Sequence, residues 1–178
     1  MLQKLFKKVF KSEYMITSLF IALFFTCMAL AFESTVLAVP GESLRKMEDR
    51  TLYLINEARK DNGLKPLIKE KAAWGAARDH SNDMAQRDYF SHQSPEGNDM
   101  VVRIEKYGFS LVGRTIGENI AMNQCMADPA ETAVAGWLKS PGHYKNIMNP
   151  QYIYTGIGIS RTEDGKYYFT QVFWGNYK

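Results

Sequence analysis

The hydrophobic period of this 178-residue chain changes towards its end, and that change constrains the fold more than any other feature. From Ser43 to Asn62 the apolar residues Leu44, Met47, Leu54, Ile55 and Ala58 recur at helical spacing, with Gly63 placed to stop the helix. A second helix is predicted from Glu70 to Asp88, where Ala73, Ala76 and Ala77 share a side with His80 and Met84 and let the backbone approach a neighbour closely. A shorter helix is expected from Asn98 to Tyr107. Asp128, Pro129 and Glu131 then fit the N-cap, N1 and N3 positions of a fourth, with Glu131 able to close a capping box, and Ser140-Pro141 opens a further turn carrying His143, Asn146 and Ile147. From Tyr152 to Ser160 and from Lys166 to Trp174 the residues become β-branched and aromatic, and the two runs flank Asp164-Gly165, which predicts a hairpin. One more short strand is expected around Ile116 to Ala121. Helices first and strands late argue for an α+β fold with an antiparallel sheet covered by helices, not for a parallel α/β array.

The start of the chain stands apart from this pattern. Lys4, Lys7, Lys8 and Lys11 precede an uncharged apolar run from Met15 to Phe32, and Val36, Leu37 and Ala38 follow with the small residues that signal peptidase requires. Residues 1–38 therefore read as a secretory signal or, because the run approaches the length that spans a bilayer, as an uncleaved anchor. Either way the lysines stay inside and the remainder lies outside the cell, secreted or held at the membrane by the N-terminal segment alone. Residues 39–47 are expected to be a short linker and 48–178 one domain, since cleavage after Ala38 leaves 140 residues, enough for one good core. The whole chain carries a formal charge of +3; setting aside the leader's four lysines and two glutamates leaves +1, which gives no electrostatic case for nucleic acid as a partner. Cys125 is the only cysteine after the leader, so no internal disulfide can form and stability must come from packing, for which Trp74, Trp137 and Trp174 are available.

Three segments taken together carry a resemblance. They are His80-Ser81-Asn82-Asp83-Met84-Ala85 running into Tyr89-Phe90-Ser91-His92, then Gly117-Glu118-Asn119-Ile120-Ala121, then Trp137 to Met148 with its Ser140-Pro141-Gly142-His143, followed by the strand Tyr168 to Phe173. In order and spacing they resemble the CAP superfamily, the SCP domain of cysteine-rich secretory proteins, antigen five and plant pathogenesis-related proteins, and most closely its bacterial branch. The resemblance covers nearly all of residues 48–174 and implies a three-layer α-β-α sandwich. It also implies a cavity that in animal and plant members is lined by two histidines and two glutamates. His92 and Glu118 match the first of each; Ser140 stands where the second glutamate is expected and Tyr168 where the second histidine is, with His143 reaching the same space from its helix.

Each of these residues has a structural reading beside the functional one. His92 sits after an aromatic pair and before the turn-forming Ser94-Pro95-Glu96-Gly97, either as a functional loop histidine or as an exposed histidine stabilised by a helix C-terminus. Glu118 lies in a segment short of charge and needs a partner, which a histidine, a metal or an arginine such as Arg103 can supply. His143 falls at N3, where free backbone donors disfavour a cation. Asn119 and Asn146 are expected to fix backbone, and His80 to be a packed core histidine with one hydrogen bond.

The expectation for function is an exported, non-enzymatic binding domain with a cleft at His92, Glu118 and His143 and with Ser140, Asn119, Asn146 and Tyr168 in support. Its ligand would be a small molecule, a lipid, a peptide or a component of the cell envelope; some relatives bind sterols or lipids. A hydrolase using histidine and glutamate, with Ser94 or Ser140 nearby, is the alternative, but no nucleophile motif such as Gly-x-Ser-x-Gly and no His-Glu-x-x-His is present. A cell-wall or spore-coat module that works through its surface is the third. No cofactor is required; two imidazoles and one carboxylate would at most hold a divalent metal such as zinc weakly.

Overall fold

The computed structural model describes residues 41–176. The leader expected over residues 1–38 lies outside them, and among the described residues no helix is long and apolar enough to cross a membrane. Helix α1 runs Gly41–Asp61 and ends as expected at Gly63, whose positive φ lets Leu64 N–H reach back to Arg59 O at 3.0 Å. It begins earlier than the sequence reading has it. Most of the stretch expected as a linker, 39–47, is already helical, because Leu44 and Met47 continue the apolar stripe and pack on the core with Ile55.

Strand β1 (Ile68–Lys69) leads into helix α2 (Lys71–Arg87), whose N-cap Glu70 accepts from the backbone N–H of Ala72 and Ala73. Helix α3 (Met100–Glu105) is capped by Asp99 and is shorter than the predicted Asn98–Tyr107. Strand β2 (Arg114–Gln124) extends beyond both ends of the expected Ile116 to Ala121. Helix α4 (Pro129–Lys139) starts at the predicted cap, with Asp128 accepting from Glu131 N–H at 3.0 Å, although the Glu131 carboxylate turns to Arg50 at 3.6 Å. Helix α5 (Pro141–Ile147) follows, and strands β3 (Tyr154–Arg161) and β4 (Lys166–Asn176) form the predicted hairpin around Gly165.

The sheet order is β1-β3-β4-β2. The β2–β4 and β3–β4 pairs are antiparallel as expected, but β1 runs parallel to β3, so the sheet is mixed. Parallel neighbours require a crossover, and α2, packed against β3 and β4, lies on the path between them. Along the central strand β4 alternate residues bury on opposite faces. Phe169 and Phe173 join Ile55 of α1, Trp137 of α4 and Ile147 of α5, whereas Val172 and Trp174 join Ala73, Ala76 and Ala77 of α2 and Ile104 of α3. The sheet is thus the middle of three layers.

On the second face the approach of helix to sheet is set by missing side chains. A Cβ on Gly156 would stand 2.1 Å from the backbone carbon of Ala73, and one on Gly158 would stand 2.1 Å from that of Ala77. Glycines on β3 under alanines on α2 therefore bring the backbones into contact and fix where the first half of α2 lies.

Candidate functional site

β2 is an edge strand, and an edge strand with open carbonyls invites pairing with other chains. Here three alternate carbonyls along it are each taken by a side chain. Tyr152 donates to Ile116 O at 2.6 Å, Asn146 to Glu118 O at 3.1 Å and Trp137 to Ile120 O at 3.0 Å. The buried Asn119 adds a fourth tie, donating from Nδ2 to His143 O at 3.2 Å while its Oδ1 accepts from Asn146 at 2.9 Å. These bonds seat α5 against β2 and carry the His143 side chain to the cleft beside it.

The same strand directs Glu118, paired across from Val172, to the face covered by α2 and α3. Its carboxylate is 5% exposed and is held from two sides: His92 Nδ1 lies 2.8 Å from Oε1, and Arg103 donates from Nη2 to Oε2 at 2.5 Å. Arg103, buried on α3, also donates from Nη1 to His92 O at 3.2 Å and to Asn98 O at 3.1 Å. One guanidinium therefore fixes both the carboxylate and the loop that carries its imidazole partner. Of the partners expected for Glu118, the arginine and the histidine share it.

His92 is more than half exposed, so Glu118 orients its ring while the remaining ring nitrogen is left without a partner among the described residues. His143 lines the same cleft; burial, and then repulsion from His92, push its imidazole below the ordinary histidine value. Behind them His80 is fully buried with Nε2 2.9 Å from Ser91 O, and burial followed by the charge of Arg103 lowers it as well. It stiffens the turn from which His92 projects.

The cleft has a volume of about 680 Å³ and its walls are mostly apolar, formed by Phe90, Met100, Val101, Ile116 and Ile120 around His92, Glu118 and His143. Ser140 and Tyr168 do not line it. Ser140 is the N-cap of α5 and its hydroxyl makes no cap bond. Tyr168 is buried with Met84 and Ile120 under α2, and its hydroxyl donates to Asp88 at 3.3 Å. Asn119 and Asn146 act through the hydrogen bonds that seat α5.

The animal pattern of the family implies a metal, and the residues present do not fit one. Among the described residues no group of three His, Cys, Asp or Glu side chains is placed to hold an ion. Both oxygens of Glu118 are committed, and a cation at that carboxylate would sit beside a buried guanidinium at a repulsion of several kcal/mol at an effective dielectric of about 20.

A helix-sheet-helix sandwich whose edge strand presents a buried carboxylate to a loop histidine, under an apolar-walled cleft, defines the class. A model of the cysteine-rich secretory protein family, CAP, matches residues 52–173, and the chain belongs to that family. It is 37% identical over 142 residues to the Bacillus subtilis (strain 168) protein YkwD, covering 80% of this chain and 52% of that protein. With YlbC of the same organism, described as a membrane protein, it shares 36% over 140 residues, covering 76% of this chain and 38% of YlbC. The chain thus spans about half or less of the length of these curated relatives, both described as uncharacterized. Among solved structures it is similar to an extracellular protein containing an SCP domain from Bacillus anthracis, with a TM-score of 0.64, 28% identity, and coverage of 77% of this chain and 44% of that one.

Proposed function

We propose that this chain is an exported, non-enzymatic binding domain whose cleft takes an amphipathic ligand, a small molecule, lipid or peptide with an apolar body and a polar group. The observation that carries the reading is the composition of the cleft. Mostly apolar walls around His92, His143 and Glu118, with Ser91, Gln93 and Asp99 also in the lining and a volume of about 680 Å³, match the usual ligand pocket, in which burial supplies affinity and a few polar groups supply orientation. His92, steered by Glu118, offers a free ring nitrogen to the polar end of the ligand. Export rests on the basic, then apolar, then small-residue order of the first 38 residues.

Hydrolysis has less support. Among the described residues no hydroxyl or thiol is hydrogen-bonded to any of the three imidazoles, and the Ser94 hydroxyl accepts from Asn98 N–H within its own turn. Glu118 lies against an arginine, which suits an orienting role more than that of a free base.

The test is to recover the chain from the medium and profile what it carries by native mass spectrometry, beside a Phe90→Ala/His92→Ala variant altered only at exposed positions. A bound species in the wild type that is lost from the variant is expected. The same species on both would remove the cleft from the function, and cell association that persists in both with no bound species would move it to the surface.

A further inference from the structure

The opposite edge of the sheet carries a second concavity, of about 700 Å³, where β1, α1, α2 and the segment after α3 meet. Its lining is mostly basic: Arg45, Lys69, Lys71 and Arg78, with Asp79 the one acid, surround the buried Trp74, only 3% exposed, and the exposed ring of Tyr107. From this arrangement we infer that the groove is a second binding site, for an anionic saccharide, a chain of sugar rings bearing carboxylate or phosphate groups.

The groove is organised by a buried charge. Glu48 on α1 is 2% exposed; it accepts from Trp74 Nε1 at 2.8 Å and from Arg78 Nε at 2.9 Å, with Arg78 Nη2 closing the pair. A buried carboxylate thus holds one indole and one half-exposed guanidinium in place. Lys69 sits 3.7 Å above the Trp74 ring and is tied to Asp49 at 2.9 Å. Tyr107 lies across Gly75, where a Cβ would stand 2.4 Å from its ring, and donates to Asp79 at 2.9 Å, which keeps its exposed face towards solvent.

Of the acids in this region, Glu48 and Asp49 are offset by Arg78 and Lys69, while Asp79, held by the neutral Tyr107 hydroxyl, and Glu70, which caps α2, keep their negative charge. Arg45 and Lys71 are exposed and have no partner among the described residues. Two cations without a partner among the described residues, beside the exposed Tyr107 ring, are complementary to a sugar ring with an apolar C–H surface and a negative substituent. Each contact is weak at an exposed site, so affinity grows as successive rings engage. This inference does not rest on the cleft reading.

The test is calorimetric titration of the full chain with polygalacturonate oligomers, with the methyl-esterified polymer and inorganic polyphosphate as probes of ring and charge alone. Binding is expected to strengthen with oligomer length, to weaken as salt rises, and to vanish with the ester. Arg45→Gln/Lys71→Gln, at exposed and unpaired positions, should lose about tenfold or more. Tyr107→Ala should weaken the saccharide several-fold and leave polyphosphate unchanged. No binding, or binding that the double substitution leaves intact, overturns the inference. Polyphosphate bound as tightly as the saccharide reduces the groove to a charged surface and also overturns it, and a loss caused by His92→Ala would place the polymer in the cleft instead.

Discussion

The two edges of the sheet both bury a glutamate, and they support it differently. At the β2 edge Glu118 is held by Arg103, itself 6% exposed, so the whole pair is out of water. At the β1 edge Glu48 is held by Arg78, which is 41% exposed, and by the indole N–H of Trp74. A carboxylate with one buried cationic partner depends on that partner; one with a half-solvated partner and a neutral donor depends on it less. The first arrangement suits a rigid cleft wall and the second a surface from which the cation still faces solvent.

Removing the arginines gives the sharpest contrast. Arg103→Leu strands Glu118 in the interior beside only a histidine and releases the carbonyls of His92 and Asn98, and should cost about 3–5 kcal/mol. Arg78→Leu leaves Glu48 with the Trp74 N–H and opens it to water, and should cost about 1–2 kcal/mol. Urea unfolding of the two variants measures both, and equal losses would break the comparison.

A smaller effect concerns pH. His80 and His143 stand at and behind the cleft, and no histidine lines the groove. Burial lowers both imidazoles in the folded chain, so as pH falls through the ordinary value of 6.5 the unfolded chain takes up protons first. Stability should be full above that value, decline as pH drops towards the lowered folded values, and level off below them. His143→Gln should flatten part of the decline and Lys71→Gln none of it. A profile that rises on acidification would contradict the burial of both rings.

The smallest effect should come from zinc. With Glu118 already paired, saturating zinc should shift the melting temperature by less than about 1 °C. A rise of several degrees that His92→Ala abolishes would reopen the cleft as a metal centre and bring the hydrolase reading forward.

Short-range chemistry made much of this molecule legible. Asp128-Pro129 caps α4, Gly63 ends α1, and the hairpin turns at Gly165, because caps and turns depend on residues within a few positions of one another. The link between Glu118 and Arg103 was also readable as an option, for a buried carboxylate requires a partner and an arginine lay close in sequence. β1 was not legible, because two residues have no period and their parallel partner is 86 positions away at Tyr154.

What the sequence by itself determined is the elements other than β1, the lack of any internal disulfide among the described residues, and the family, through residues whose order and spacing are visible along the chain. What only the tertiary structure decided is which side chains meet. The resemblance set Tyr168 where the wider family's second histidine is expected, yet its strand register places it opposite Met122 and packs it under α2, outside the lining of the cleft. The groove at the other edge brings Arg45 and Tyr107 beside Trp74 and Arg78, both held by the buried Glu48, and none of that pairing is written in local spacing. Register and helix approach set it, and these follow from the contact of Gly156 and Gly158 with the backbone of α2, a long-range fit that no window of sequence contains.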